Sequence, residues 1–143
     1  MAKKNKWEEN YEIDFELIGV VSPMKEYKLA WHLNQLDIFH LVKEDDIKIE
    51  FAEQKVIRIS NLAAETDFTM VHLLRNKLAG AGIVGFKYLL PELRQFDYLI
   101  KLKNTLQDNW SSDVMTKLKS CAAVDYAVVV DPAKIKAKEN LIF

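Results

Sequence analysis

The sequence has one cysteine, Cys121, so no disulfide can form within the chain, and this fits a reducing compartment; we expect a cytoplasmic protein. No apolar run approaches the roughly 18 residues that a membrane span needs. The first ten residues, MAKKNKWEEN, are basic but lack the apolar core of a signal peptide. Neither sign of charge is in excess: 20 basic side chains face 21 acidic ones, for a net charge of -1, which weighs against a dedicated nucleic-acid binder. Histidine is scarce too. His32, His40 and His72 show none of the HxH, HxxxH or HExxH spacings, and Cys121 brings no second thiol, so no metal centre is expected.

Three of the four glycines fall within residues 76–87, where Gly80, Gly82 and Gly85 spell GxGxxG. A dinucleotide site needs a helix to open on that motif within a parallel sheet. Here Pro91 follows too soon for a helix, and the neighbouring runs are strand-like, so the segment reads as a mobile connection and no cofactor is expected. Ser22, Ser111 and Ser112 read as helix starts, with no GxSxG around any of them. The paired acids Glu8-Glu9 and Asp45-Asp46 lie in a polar end and a turn. No catalytic residue is assigned.

What is present is ordinary globular material, half of it apolar, which is enough for one core in one domain. Residues 1–10 read as a flexible N-terminus, 11–131 as the domain and 132–143 as a tail. Strand-like alternation runs through Ile13–Val21. Ser22-Pro23 resembles a capped helix start, and the helix that follows ends near Asp37, with Tyr27, Ala30, Trp31 and Asn34 on one face and Leu29, Leu33 and Leu36 widening the stripe. Short strands are expected at Ile38–Val42, Ile47–Phe51, Val56–Ser60 and Phe68–Arg75, with a turn at Glu44–Asp46 and a loop at Asn61–Asp67. Pro91 marks the entry to a strand in which Phe96, Tyr98, Ile100 and Leu102 share one face. A second helix carries Trp110, Val114, Met115 and Leu118, with Asp108, Asn109 or Ser111 as its cap, and Val124–Val130 forms a last strand. The expected class is α+β: an antiparallel sheet of about six to seven strands with two helices packed on one face.

Two stretches resemble the bacterial IPExxxVDY family. Leu90-Pro91-Glu92-Leu93-Arg94-Gln95-Phe96-Asp97-Tyr98 is similar to its defining motif, with Leu90 for Ile and Phe96 for Val. Tyr27-Lys28-Leu29-Ala30-Trp31-His32-Leu33-Asn34 resembles its helix pattern. The resemblance implies no known activity and carries over no catalytic residue. Physically, Glu92 and Asp97 suit carboxylates that hold backbone N–H groups, and Trp31 and Tyr98 suit core positions.

The tail after Pro132 is polar until Leu141, Ile142 and Phe143, three large apolar residues expected to dock on their own domain or on a second copy. The expected function is a non-catalytic protein-interaction module with an unknown protein partner or a homo-oligomeric state, without a membrane partner. One alternative is a small-ligand binder or enzyme with a pocket between the first helix and the sheet near Trp31 and Tyr98. Another is an RNA binder using Lys101, Lys103 and the tail lysines.

Overall fold

The computed structural model describes residues 13–51, 55–78 and 88–143. The expected N-terminal segment 1–10, the turn at 52–54 and the GxGxxG stretch lie outside the described residues. Eight elements follow in order: β1 (Glu16–Val21), α1 (Glu26–Asn34), β2 (Val42–Phe51), β3 (Lys55–Glu65), β4 (Thr69–Arg75), β5 (Tyr98–Asn104), α2 (Trp110–Leu118) and β6 (Tyr126–Val130). The six strands form one sheet in the order β2-β3-β4-β5-β1-β6. Every neighbouring pair is antiparallel. With both helices on one face, this is the expected α+β arrangement.

β1 reads ELIGVV because it is an inner strand covered on both faces. Ile18 and Val20 join Val71, Leu73, Tyr98, Ile100 and Leu102 under Leu29, Ala30 and Leu33 of α1 and Val114 and Leu118 of α2. Leu17 joins Ile57, Ile59, Leu74 and Leu99 on the opposite face, where among the described residues no α-helix packs; Leu89, Leu90, Ile135 and Leu141 cover it instead. Gly19 faces that side, and a methyl there would stand 2.6 Å from the ring of Phe96. Phe96 therefore lies across the sheet from Tyr98, not beside it: β5 begins at Tyr98, and the two residues before it belong to a turn that drapes over β1.

Several local expectations are corrected. Ser22 does not cap α1. Its hydroxyl donates to the Ala123 carbonyl at 2.6 Å, and the helix starts four residues later without a side-chain cap. Ile38–Leu41 is not a strand; Asp37 turns the chain with a φ of 59°, which a short acidic side chain tolerates. Glu44–Asp46 is no hairpin turn but an irregularity within β2, where the register with β3 shifts between Glu44 and Ile47. β3 runs on to Glu65 through the expected loop, because Leu62 and Ala64 reach the helix-side core and Asn61 pairs with His72. Asn109, just before α2, has a φ of 58° and gives the helix no side-chain cap; Glu16 of β1 caps it from across the fold, accepting from Trp110 N (3.0 Å), Ser111 N (3.2 Å) and Ser111 Oγ (2.6 Å).

Residues 131–143 are no loose tail. Asp131 caps a 3-10 turn at Pro132–Lys134, and a second follows at Lys138–Leu141. Ala137 N donates to Glu92 Oε1 at 3.0 Å, Asn140 Nδ2 to the Leu89 carbonyl at 2.9 Å, and Lys101 Nζ to the Leu141 carbonyl at 2.7 Å. Leu141 is fully buried, whereas Ile142 and Phe143 stay partly exposed, at 39% and 45%. The segment docks on its own domain.

Candidate functional site

The motif residues divide by what they hold. Asp97 Oδ2 accepts from Ser22 N at 2.9 Å, and Oδ1 pairs with Lys77 Nζ at 2.8 Å, which raises the lysine above its ordinary pKa. This joins the end of β1 to the chain leaving β4. Tyr98 is buried, and its hydroxyl donates to the Met24 carbonyl at 2.5 Å. Burial pushes its pKa up, with Arg75 opposing and Glu26 and Asp97 adding. The Asn34 amide brackets residue 41, donating to the Leu41 carbonyl (3.0 Å) and accepting from Leu41 N (2.7 Å). Pro91 and Glu92 open the 3-10 turn at Pro91–Leu93, with Glu92 reaching to Ala137. In geometry, then, Glu92, Asp97, Tyr98 and Asn34 all serve backbone.

The residue at the centre of this arrangement was not foreseen. Asn76 is fully buried. Its amide donates to the Leu93 (2.8 Å) and Phe96 (3.1 Å) carbonyls and accepts from Leu90 N (2.8 Å), while its backbone carbonyl accepts from Leu89 N (2.7 Å). One side chain thus ties three points of the 88–97 segment together. A lone Asn after a strand carries no pattern that periodicity detects.

Tyr27 and Trp31 depart from expectation. Trp31 is not a core residue: it is 60% exposed, and Tyr27, one turn earlier, is 63% exposed. The stripe that α1 buries is Leu29, Ala30 and Leu33. His32 stands edge-on to the Trp31 ring at 5.0 Å. Tyr27 also lines a cleft of about 750 Å³ between the N-terminal end of α1 and the sheet. Its floor crosses the strands: Lys43 on β2, Ser60 and Leu62 on β3, Arg75 on β4 and Tyr98 on β5, with Arg75 directly opposite Tyr98 in register. Lys25, Lys77, Glu26 and Asp97 complete its charges. Among the described residues, Glu26 Oε2 is shut off from solvent without a hydrogen-bond partner.

A second cleft, of about 530 Å³, opens on the other face beside Phe143. Within it Lys101 and His72 sit opposite each other in register on β5 and β4. The Lys101 amine lies 4.0 Å from the Phe143 ring centre and 4.9 Å from that of Phe15. Burial draws its pKa down to about 8; Asp14 opposes this and Lys103 adds to it. His72 Nδ1 lies 2.9 Å from Asn61 Oδ1, and its ring meets Phe143 edge-on at 5.0 Å. Burial, then the Lys101 charge, lowers its pKa to about 4, so at neutral pH the imidazole is uncharged and donates from Nδ1 to Asn61. Lys103 pairs with Asp14 at 2.6 Å, and this holds the carboxyl below its usual pKa range.

Among the described residues no group of three His, Cys, Asp or Glu side chains is placed to hold a metal ion, and no helix is long and apolar enough to cross a membrane. Comparison with protein-family models, with curated proteins and with solved structures found no match. The geometry alone therefore carries the functional reading.

Proposed function

We propose that the protein is a non-catalytic interaction module that docks a protein partner on the outer face of α1. The observation that supports this is the exposure of Tyr27 and Trp31, 63% and 60%, on a helix whose Asn34 is committed to the Leu41 backbone. Two aromatic rings one helical turn apart offer a large, stiff apolar surface at low entropic cost, the composition that dominates binding hot spots. The acids of the second motif are committed to backbone groups and to Lys77, which supports a structural part for them in place of acid–base chemistry. The two motifs support placing the chain with the IPExxxVDY proteins, and the single buried cysteine supports a cytoplasmic location.

The test compares affinity capture from native lysate by the intact chain and by Trp31→Ala and Tyr27→Ala. Both variants should melt within about 0.5 kcal/mol of the parent, as exposed substitutions do, and should lose the same captured protein. Capture unchanged by both substitutions counts against the reading. A second reading, a small-ligand binder, draws on the 750 Å³ cleft beside Tyr27, whose size and mixed polar and apolar lining suit a small molecule. Native mass spectrometry of the gently purified protein tests it through a bound mass that Tyr98→Phe or Arg75→Gln removes.

A further inference from the structure

The charges of the α1 cleft run against those of the molecule that carries it. Among the described residues, Lys25, Lys43, Arg75 and Lys77 line it with Glu26 and Asp97 as the only acids, so this lining sums to +2 on a chain whose net charge is -1. Both carboxylates are drawn inward. Asp97 is committed to Ser22 N and Lys77, and one oxygen of Glu26 is sealed from solvent. The cations behave differently. Arg75 and Lys25 are exposed, and among the described residues Lys43 reaches only the exposed Asp46 and the Glu44 carbonyl, contacts that water screens and that cost little to exchange. Arg75 is at the end of β4 on the helix-bearing face, beside the buried Tyr98. A guanidinium in that position presents a planar pair of donors suited to a carboxylate.

Beside these cations stand the two rings on α1. Tyr27 belongs to both surfaces, lining the cleft and heading the aromatic pair. We propose that the partner element is an acidic linear segment of another protein, with an apolar anchor against Tyr27 and Trp31 and carboxylates seated in the cleft against Arg75, Lys43 and Lys25. This rests on the docking reading above and adds the chemistry of the partner. A single-stranded nucleic acid is the weaker match. Its binding grows with the number of phosphates neutralised, and a chain of net charge -1 with one local cluster offers few contacts and a repelling surround. A short acidic segment needs only the cluster itself.

The experiment is selection of a random twelve-residue peptide display library on the intact protein, followed by anisotropy titration of the enriched peptides, labelled with fluorescein, alongside an oligouridylate of equal length. Enriched peptides should be rich in Asp and Glu around an aromatic or leucine residue. Arg75→Glu and, separately, Lys43→Glu should weaken them about tenfold or more, the scale of one charge-assisted bond. Replacing their acids with Asn and Gln should do the same, while Trp31→Ala weakens acidic and neutral versions alike. Two charge reversals are used so that a folding defect in one, seen by circular dichroism, leaves the other to decide. Enriched peptides that need Trp31 but are neutral or basic, and ignore both reversals, overturn the acidic partner and leave docking on α1 standing. Tight oligouridylate binding lost on Arg75→Glu overturns it in favour of RNA. No enrichment over an empty support defeats both the inference and the docking reading.

Discussion

Replacing Lys101 with Met keeps the length of the stem and removes the amine. The substitution has two opposed effects at neutral pH. It relieves the burial of a charge, and it leaves the carbonyl of the fully buried Leu141 without its donor, a loss of about 1–3 kcal/mol. The absolute change in stability therefore says little, but its pH dependence is diagnostic. Lys101 releases its proton near pH 8 in the folded protein, against 10.5 for the unfolded chain. Between those values the unfolded state binds more protons, so stability rises with pH there; below pH 8 both states are protonated and that gain is lost. One proton corresponds to at most about 1.4 kcal/mol per pH unit, and water in the open cleft reduces this to roughly 1. The assay is urea denaturation of both proteins at pH 7.5, 8.5 and 9.5. Taking the difference removes the other titrating groups, including Tyr98, whose raised pKa acts in the opposite sense at still higher pH. Asp14, Lys103 and His72 surround this position in both proteins, and His72 is neutral throughout this range. The parent should gain on the Met variant by roughly 1–2 kcal/mol between pH 7.5 and 9.5. A difference that stays constant over that interval refutes the burial of a charged amine at this position.

Other expectations follow from named contacts. Asn76→Ala leaves the Phe96 carbonyl and the Leu90 N–H without a partner and takes one of two donors from the Leu93 carbonyl, and should cost about 3 kcal/mol by chemical denaturation; a cost below about 1 kcal/mol means the remaining backbone bonds and packing hold the segment without this amide. Gly19→Ala drives a methyl to 2.6 Å from the Phe96 ring and should lose about 1–3 kcal/mol, with Phe96→Leu in the same chain recovering part of it. Glu16→Gln keeps the shape of the cap on α2 but removes its charge, for about 1 kcal/mol, and the loss should shrink in high salt. Acid should destabilise the protein between pH 6.5 and 4 through His72, because the unfolded chain takes up a proton there that the folded one refuses; His72→Gln should flatten that part of the stability profile.

The architecture was legible because it is written in periods. β5 and β6 alternate, the three buried residues of α1 are spaced as a helix requires, and the short links predict antiparallel neighbours. Trp31 was misplaced because α1 has two apolar stripes, the aromatic one of Tyr27 and Trp31 and the aliphatic one of Leu29 and Leu33, and periodicity alone does not say which the sheet will take. The acids of β2 looked like a turn because three charges in a row are rare in a strand, but β2 is an edge strand where all three stay in water. The far end of β3 looked like a loop because its reason to be straight, the Asn61–His72 pair, spans two strands. The α1 cleft was anticipated only by place. Its cations come from α1's approach and from β2 and β4, and nothing local in the chain announces that they meet.

The position of β1 in the sheet sets the order in which the sheet can be assembled. β2, β3 and β4 follow one another and zip up through short loops, but β1 pairs on both sides with strands made long after it, Glu16 opposite Leu102 and Val21 opposite Tyr126. The entropy of closing those loops is spent before the contacts repay it, so the pairings of β1 with β5 and β6 are the ones expected to form most slowly. During synthesis the apolar run Leu17–Val21 has no strand partner until β5 is made, and its second edge stays open until β6 follows. Until those partners arrive, β1 is an open edge to which another chain could pair, and β6 closes the last of it.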